Sequence, residues 1–141
     1  MTKVEKVFRP GMSEAALPVF IARIAAGFPS PAADYEEQKL DLNKYLIQNP
    51  AATFFVRVSG DSMVGAGIHD GDLLIVDRSK EPKNGNVIIA VLNGQLTVKR
   101  LRIRRGKLSL EPENENYPVQ PITEGMEFEV WGVVTNVIHP L

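Results

Sequence analysis

The apolar and polar positions divide the chain into two stretches of different character. From residue 53 onward, short runs rich in Val, Ile, Phe and Leu recur between Gly, Asn and Pro punctuation. Thr53–Val58, Asp72–Asp77, Asn86–Leu92, Gln95–Ile103, Lys107–Glu111 and Glu127–Ile138 read as strands. Asn93-Gly94 between two of them predicts a type I′ hairpin, and Arg105-Gly106 a second tight turn. Strands this short and dense predict a mainly β, curled antiparallel assembly rather than alternating βαβ units. Upstream, Leu42, Tyr45 and Leu46 fall at i, i+3, i+4 behind a capping Asp41. The pattern predicts a short helix within Asp41–Gln48, stopped before Pro50. Residues 1–31 hold Pro10, Gly11, Pro18, Pro29 and Pro31 and no sustained period, which predicts an extended or mobile arm.

Alternation along Gln95–Ile103 singles out one basic residue. Thr97, Lys99, Leu101 and Ile103 share a face, and Val98, Arg100, Arg102 and Arg104 share the other. Lys99 is therefore in line with two residues expected in the core. A lysine there either snorkels outward or is desolvated. Desolvation disfavours the ammonium form and lowers its pKa. A neutral lysine amine is a competent general base.

Composition narrows the chemistry that such a base could serve. The 141 residues suit one domain plus a short arm, with 44% apolar and 23% charged residues. There is no cysteine, which excludes disulfide scaffolds, thiolate zinc sites and thiol nucleophiles. His69 and His139 are the only imidazoles. The net charge of −1 is a cancellation. Residues 99–107 carry six basic groups and no acid, whereas residues 108–141 carry six acids and no Lys or Arg. Complementary faces of neighbouring strands explain this most simply, and a basic footprint for an acidic partner is the sharper reading. No helix-turn-helix pattern supports direct DNA binding.

Ser59-Gly60-Asp61-Ser62-Met63 follows the first of the core strands. A polar, glycine-containing turn suits an exposed hydroxyl flanked by backbone N–H groups that stabilise an oxyanion. Asp61, Met63 and Thr97 are the candidate oxyanion or orienting positions. A serine–lysine dyad is an established nucleophile–base pair. Spacing alone leaves the ordinary readings open: a turn serine and a snorkelling lysine.

The motif set carries more. Val58-Ser59-Gly60-Asp61-Ser62-Met63, then Gly67-Ile68-His69-Asp70-Gly71-Asp72-Leu73-Leu74, then Thr97-Val98-Lys99-Arg100-Leu101 resemble the LexA/UmuD (S24) family of self-cleaving serine–lysine proteins. Gly27–Tyr35, Asp41-Leu42-Asn43 with Leu46-Ile47-Gln48, and Gly71–Asp77 resemble its UmuD branch. The resemblance runs from about Leu17 to the C-terminus, and residues 1–16 lie outside it. It implies a LexA C-terminal-like β domain with a short helix and an extended N-terminal arm. It implies Ser62 as nucleophile, Lys99 as general base and Ala26–Gly27 as scissile bond. Ala-Gly is the form seen in LexA-type repressors, whereas the UmuD branch typically has cysteine before the glycine. The implied organisation is a removable arm, residues 1–26, and a catalytic β domain, residues 27–141. With only 26 residues before the cut, no helix-turn-helix domain is expected.

The implied role is in SOS mutagenesis. Self-cleavage would be stimulated by a RecA–single-stranded DNA filament. The processed homodimer would serve a UmuC-like Y-family polymerase in translesion synthesis. No cofactor, metal or membrane partner is expected. The alternatives are a non-cleaving β-fold binding module and a truncated LexA-type regulator. Ala26 and Ser62 are 36 residues apart. At ~3.3 Å per residue that connector reaches across a small domain, so cutting within one chain and between chains both stay open.

Other candidates carry bland readings. His69 and His139 read as solvated loop residues, and Asp70-Gly71-Asp72 as a turn that starts a strand. Asp70, Asp72 and Asp77 lack calcium-loop spacing. Phe54, Phe55 and Trp131 read as core or interface. The stretch Ala15–Phe28 loosely resembles a secretory signal, but Glu5, Glu14, Pro18 and Arg23 oppose this, and a cytoplasmic protein is expected.

Overall fold

The computed structural model describes residues 2–11, 16–20 and 36–141, and among them the β expectation holds. Six strands lie where the apolar runs placed them, and four more are added. In chain order they are β1 (Lys3–Phe8), β2 (Ala16–Phe20), β3 (Glu36–Asp41), β4 (Thr53–Ser59), β5 (Leu73–Asp77), β6 (Val87–Leu92), β7 (Gln95–Arg104), β8 (Lys107–Glu111), β9 (Gln120–Pro121) and β10 (Phe128–Ile138). Among the described residues there is one α-helix, α1 (Leu42–Leu46), which follows β3. Its cap is the expected one: the Asp41 carboxylate accepts from the Asn43 N–H at 3.0 Å.

Two compact units result, residues 1–10 with 49–141 and residues 11–48. In the smaller, β2 and β3 pair antiparallel, Leu17 opposite Leu40, and α1 comes next. In the larger, eight antiparallel strands run in the order β1-β4-β5-β10-β6-β7-β8-β9. A bridge between Lys3 of β1 and Thr97 of β7 curls the sheet back on itself. Both tight turns form as expected. Asn93 and Gly94 have φ of 49° and 80°, and Arg105 and Gly106 have 53° and 75°, the left-handed pair that a type I′ hairpin requires.

Apolar side chains fill both faces of the central strands. One cluster holds Val56, Val58, Met63, Ile68, Leu74, Val76, Ile89 and Val98. The other holds Ile88, Ala90, Leu101, Leu110 and Val133. Neighbours along β6 serve opposite clusters, which is why its sequence is a continuous apolar run. Phe54 and Trp131 meet edge-tilted at 5.3 Å, and Arg78 covers the indole at 4.4 Å.

Two expectations need correction. Residues 3–8, expected in an extended or mobile arm, are extended but form a paired strand, with Val4 opposite Val58 and Phe8 opposite Phe55. Residues 16–20 are likewise a strand. The alternation in β1 is broken by a register shift between Val4 and Lys6; Val4 and Val7 are three apart with Phe8 next to Val7, and no two-residue period shows. Ile103, expected in the core beside Leu101, is 37% exposed near the end of β7. Arg100, Arg102 and Arg104 pair with Glu113 or Glu111, at 2.5, 2.9 and 3.4 Å. The basic strand and the acids that follow it therefore complement each other, as the simpler reading held.

Candidate active site

Ser62 sits in the turn after β4, where the chain must reverse without disturbing the core on either side. Gly60 takes a left-handed φ of 96°, and its N–H is held by the Asp70 carboxylate at 2.8 Å. Met63, fully buried in the first cluster, anchors the far side of the turn. A 3-10 turn, Val64–Ala66, continues from it. A second segment straps this loop from outside. The Glu113 N–H donates to the Ser62 carbonyl, and the Gly65 N–H to the Glu113 carbonyl, each at 2.8 Å. A Cβ at Gly65 would lie 2.7 Å from that carbonyl oxygen, so only glycine fits the strap. Asn114 donates to the Asp61 carbonyl at 2.9 Å, and the Tyr117 hydroxyl donates to the Asp61 carboxylate. That bond pushes the Tyr117 pKa up.

Lys99 reaches the same point from β7. It is flanked by Leu101 on its own strand and sits opposite Ile88 of β6, both buried. The residue is 6% exposed, and its Nζ lies 2.9 Å from the Ser62 Oγ. Burial among these apolar neighbours lowers its pKa from 10.5 to about 8. Strand alternation thus placed Lys99 on the correct face, and only the fold brought the serine to it.

The other candidates divide. Thr97, on the Lys99 face and nearly buried, gives its hydroxyl to the Thr2 carbonyl at 3.2 Å rather than to the amine. The Asp61 side chain turns toward Tyr117. The Met63 side chain is in the core. Ala26 and Gly27 lie outside the described residues. A small cavity of about 170 Å³ opens beside Lys99, lined by Leu92, Leu110, Tyr117 and Pro118 among others.

One participant had no sequence signal. Thr2, just before β1, is fully buried against Ser62. Its N–H donates to the Ser62 Oγ at 2.7 Å, and its own Oγ1 lies 2.9 Å from the same atom. A lone threonine ahead of an irregular strand announces nothing, because its partner is 60 residues away.

The two histidines are exposed and lie outside the strands, in keeping with their reading as solvated loop residues, and they also come together. Their rings lie 4.5 Å apart, and His139 Nδ1 is 2.6 Å from Asp72. Asp72 is buried, and its second oxygen accepts the His69 N–H at 2.7 Å. The arrangement locks the 69–72 turn against the C-terminal strand. Asp70-Gly71-Asp72 is the strand-starting turn expected. Among the described residues no helix is long and apolar enough to cross a membrane.

A buried serine and a desolvated lysine in hydrogen-bond contact are the parts of a nucleophile–base pair. The family comparison agrees in kind, since the Peptidase S24-like family model matches residues 18–135. The chain belongs to the Peptidase S24-like family. It is 50% identical over 122 residues to Protein SamA of Salmonella typhimurium, covering 86% of this chain and 84% of that one. It is 46% identical over 128 residues to Protein MucA of Escherichia coli, covering 89% and 87%. To the LexA repressor of Paracidovorax citrulli it is 40% identical over 130 residues, which is 92% of this chain but 57% of the repressor. These similarities place it among the UmuD-like SOS mutagenesis members of a self-cleaving serine protease family.

Proposed function

We propose that this protein cuts its own chain at Ala26–Gly27 with Ser62 as nucleophile and Lys99 as general base. The observation that carries the reading is the 2.9 Å contact between the Lys99 Nζ and the Ser62 Oγ, with the lysine pKa drawn down to about 8. Small side chains on both sides of the bond let the backbone approach Ser62 closely, and the narrow cavity beside Lys99 suits an alanine. Neutral Lys99 takes the Ser62 proton as Oγ adds to the Ala26 carbonyl carbon. The oxyanion is held by backbone N–H groups of the 61–63 turn. The Lys99 ammonium then returns the proton to the departing Gly27 nitrogen. Water, deprotonated by Lys99, hydrolyses the Ala26 ester and frees Ser62.

Cleavage separates residues 1–26 from 27–141. The processed form acts as a homodimer with a UmuC-like Y-family polymerase in translesion synthesis, in the cytoplasm. A RecA–single-stranded DNA filament speeds the cut by favouring the conformer with Ala26–Gly27 at Ser62, without adding a catalytic group. The test is incubation of Ser62→Ala, Lys99→Ala and wild type with activated filament, read by intact mass. Wild type is expected to give a product starting at Gly27 while both variants stay whole. Normal processing of either variant would overturn the dyad, and a different product terminus would move the scissile bond.

A further inference from the structure

We infer that the groove leading to Ser62 is a strand-binding site whose resident ligand is the protein's own N-terminal segment, Thr2–Phe8. The inference goes beyond the proposed cleavage, because residues 2–8, though within the removed arm, take no part in the bond-breaking step. It rests first on the hydrogen bonds at one atom. The Ser62 Oγ receives the Thr2 N–H at 2.7 Å and a Lys99 N–H at 2.9 Å. A hydroxyl has two lone pairs and one proton. With both lone pairs engaged, its proton goes to the Thr2 Oγ1 at 2.9 Å. Ser62 then gives no proton to Lys99, although the two are in contact. The pair is assembled and held idle.

The segment is seated as an extended peptide. It pairs antiparallel with β4 from Ser59 to Phe55. At its other edge the Thr2 carbonyl accepts from the Thr97 hydroxyl at 3.2 Å and the Val98 N–H at 3.4 Å. This serine is what any scissile segment must also reach. Residues 2–8 and Ala26–Gly27 therefore exclude one another at a given Ser62. The groove reads main chain by strand addition and, at Ser62, a small side chain.

The seat is also weak enough to open. Of Lys3–Phe8, only Val4 packs against the core, and the other five side chains are exposed. Little apolar area holds the strand, and a register shift after Val4 interrupts its ladder. Thr2 is the one fully buried residue of the segment. The N-terminal strand is thus a displaceable plug, and its release is a step ahead of cleavage.

The test uses full-length Thr2→Arg, whose side chain does not fit a buried site, and Thr2→Ala, which keeps the N–H but not the hydroxyl. Two readouts are taken. Amide hydrogen exchange over Phe55–Ser59 reports the plug without any chemistry. Labelling of Ser62 by a fluorophosphonate reports access to the nucleophile. Thr2→Arg is expected to quicken exchange over β4 and raise labelling ~10-fold, the order expected for losing two hydrogen bonds. Thr2→Ala is expected to raise labelling by less. A synthetic peptide of residues 2–10 added to Thr2→Arg is expected to restore both toward wild type. Exchange over Phe55–Ser59 equal in wild type and Thr2→Arg would overturn the plug. Quickened exchange without any Ser62 labelling would leave the plug standing and count against the nucleophile instead. Labelling without a product starting at Gly27 would count against the scissile bond alone.

Discussion

Self-cleavage without activator should follow the titration of Lys99, and its pH profile tests the chemistry most directly. The perturbation is pH between 6.5 and 10.5. Burial beside Leu101 and Ile88 sets the lysine pKa near 8. The neutral fraction is then about one in eleven at pH 7, about half at pH 8 and about ten in eleven at pH 9. The first-order rate, followed by intact mass, should rise about tenfold from pH 7 to 9 and then level. An exposed lysine of pKa near 10.4 would instead give a rise of about a hundredfold over that interval, with no plateau before pH 10. Lys99→Arg should be silent throughout, because a guanidinium stays protonated in this range. A flat profile from pH 7 to 10 would refute lysine as the base. A climb still steep at pH 10 would refute its desolvation.

Further outcomes follow from the same residues. Lys99 titrates lower in the folded chain than in the unfolded one, so the unfolded state binds more protons between pH 8 and 10.5. Its contribution to stability is therefore most unfavourable below pH 8 and improves as pH rises to 10.5. Lys99→Met should raise stability at pH 7, by up to about 3 kcal/mol, and the gain should vanish above pH 10.5 in urea titrations. Gly65→Ala should cost about 1–3 kcal/mol in the same titrations, because its Cβ meets the Glu113 carbonyl, and should slow cleavage by loosening the Ser62 turn. Wild-type stability in that variant would show that the strap yields freely. Gly27→Lys should abolish the Gly27-starting product while Ser62 still labels with a fluorophosphonate; unchanged cleavage would place the cut elsewhere.

The sequence by itself determined the β body. Its strands are punctuated by local turn chemistry, and Asn93-Gly94 and Arg105-Gly106 fold as their residues require, whatever surrounds them. It determined which way Lys99 faces, because alternation is a property of one strand. It determined the α1 cap, a contact spanning two residues. Tertiary structure alone decided what Lys99 meets. Ser62 is 37 residues away, and burial, the contact and the lowered pKa all come from packing two separate segments. It alone turned residues 3–8 into a strand, since β1 borrows its order from the β4 edge and its own pattern is broken by a register shift. It alone brought His69 and His139 to one carboxylate and set Thr2 on the serine. Local periodicity records which side of a strand is dry. Which partner waits there depends on chain reversals that no short window of sequence contains.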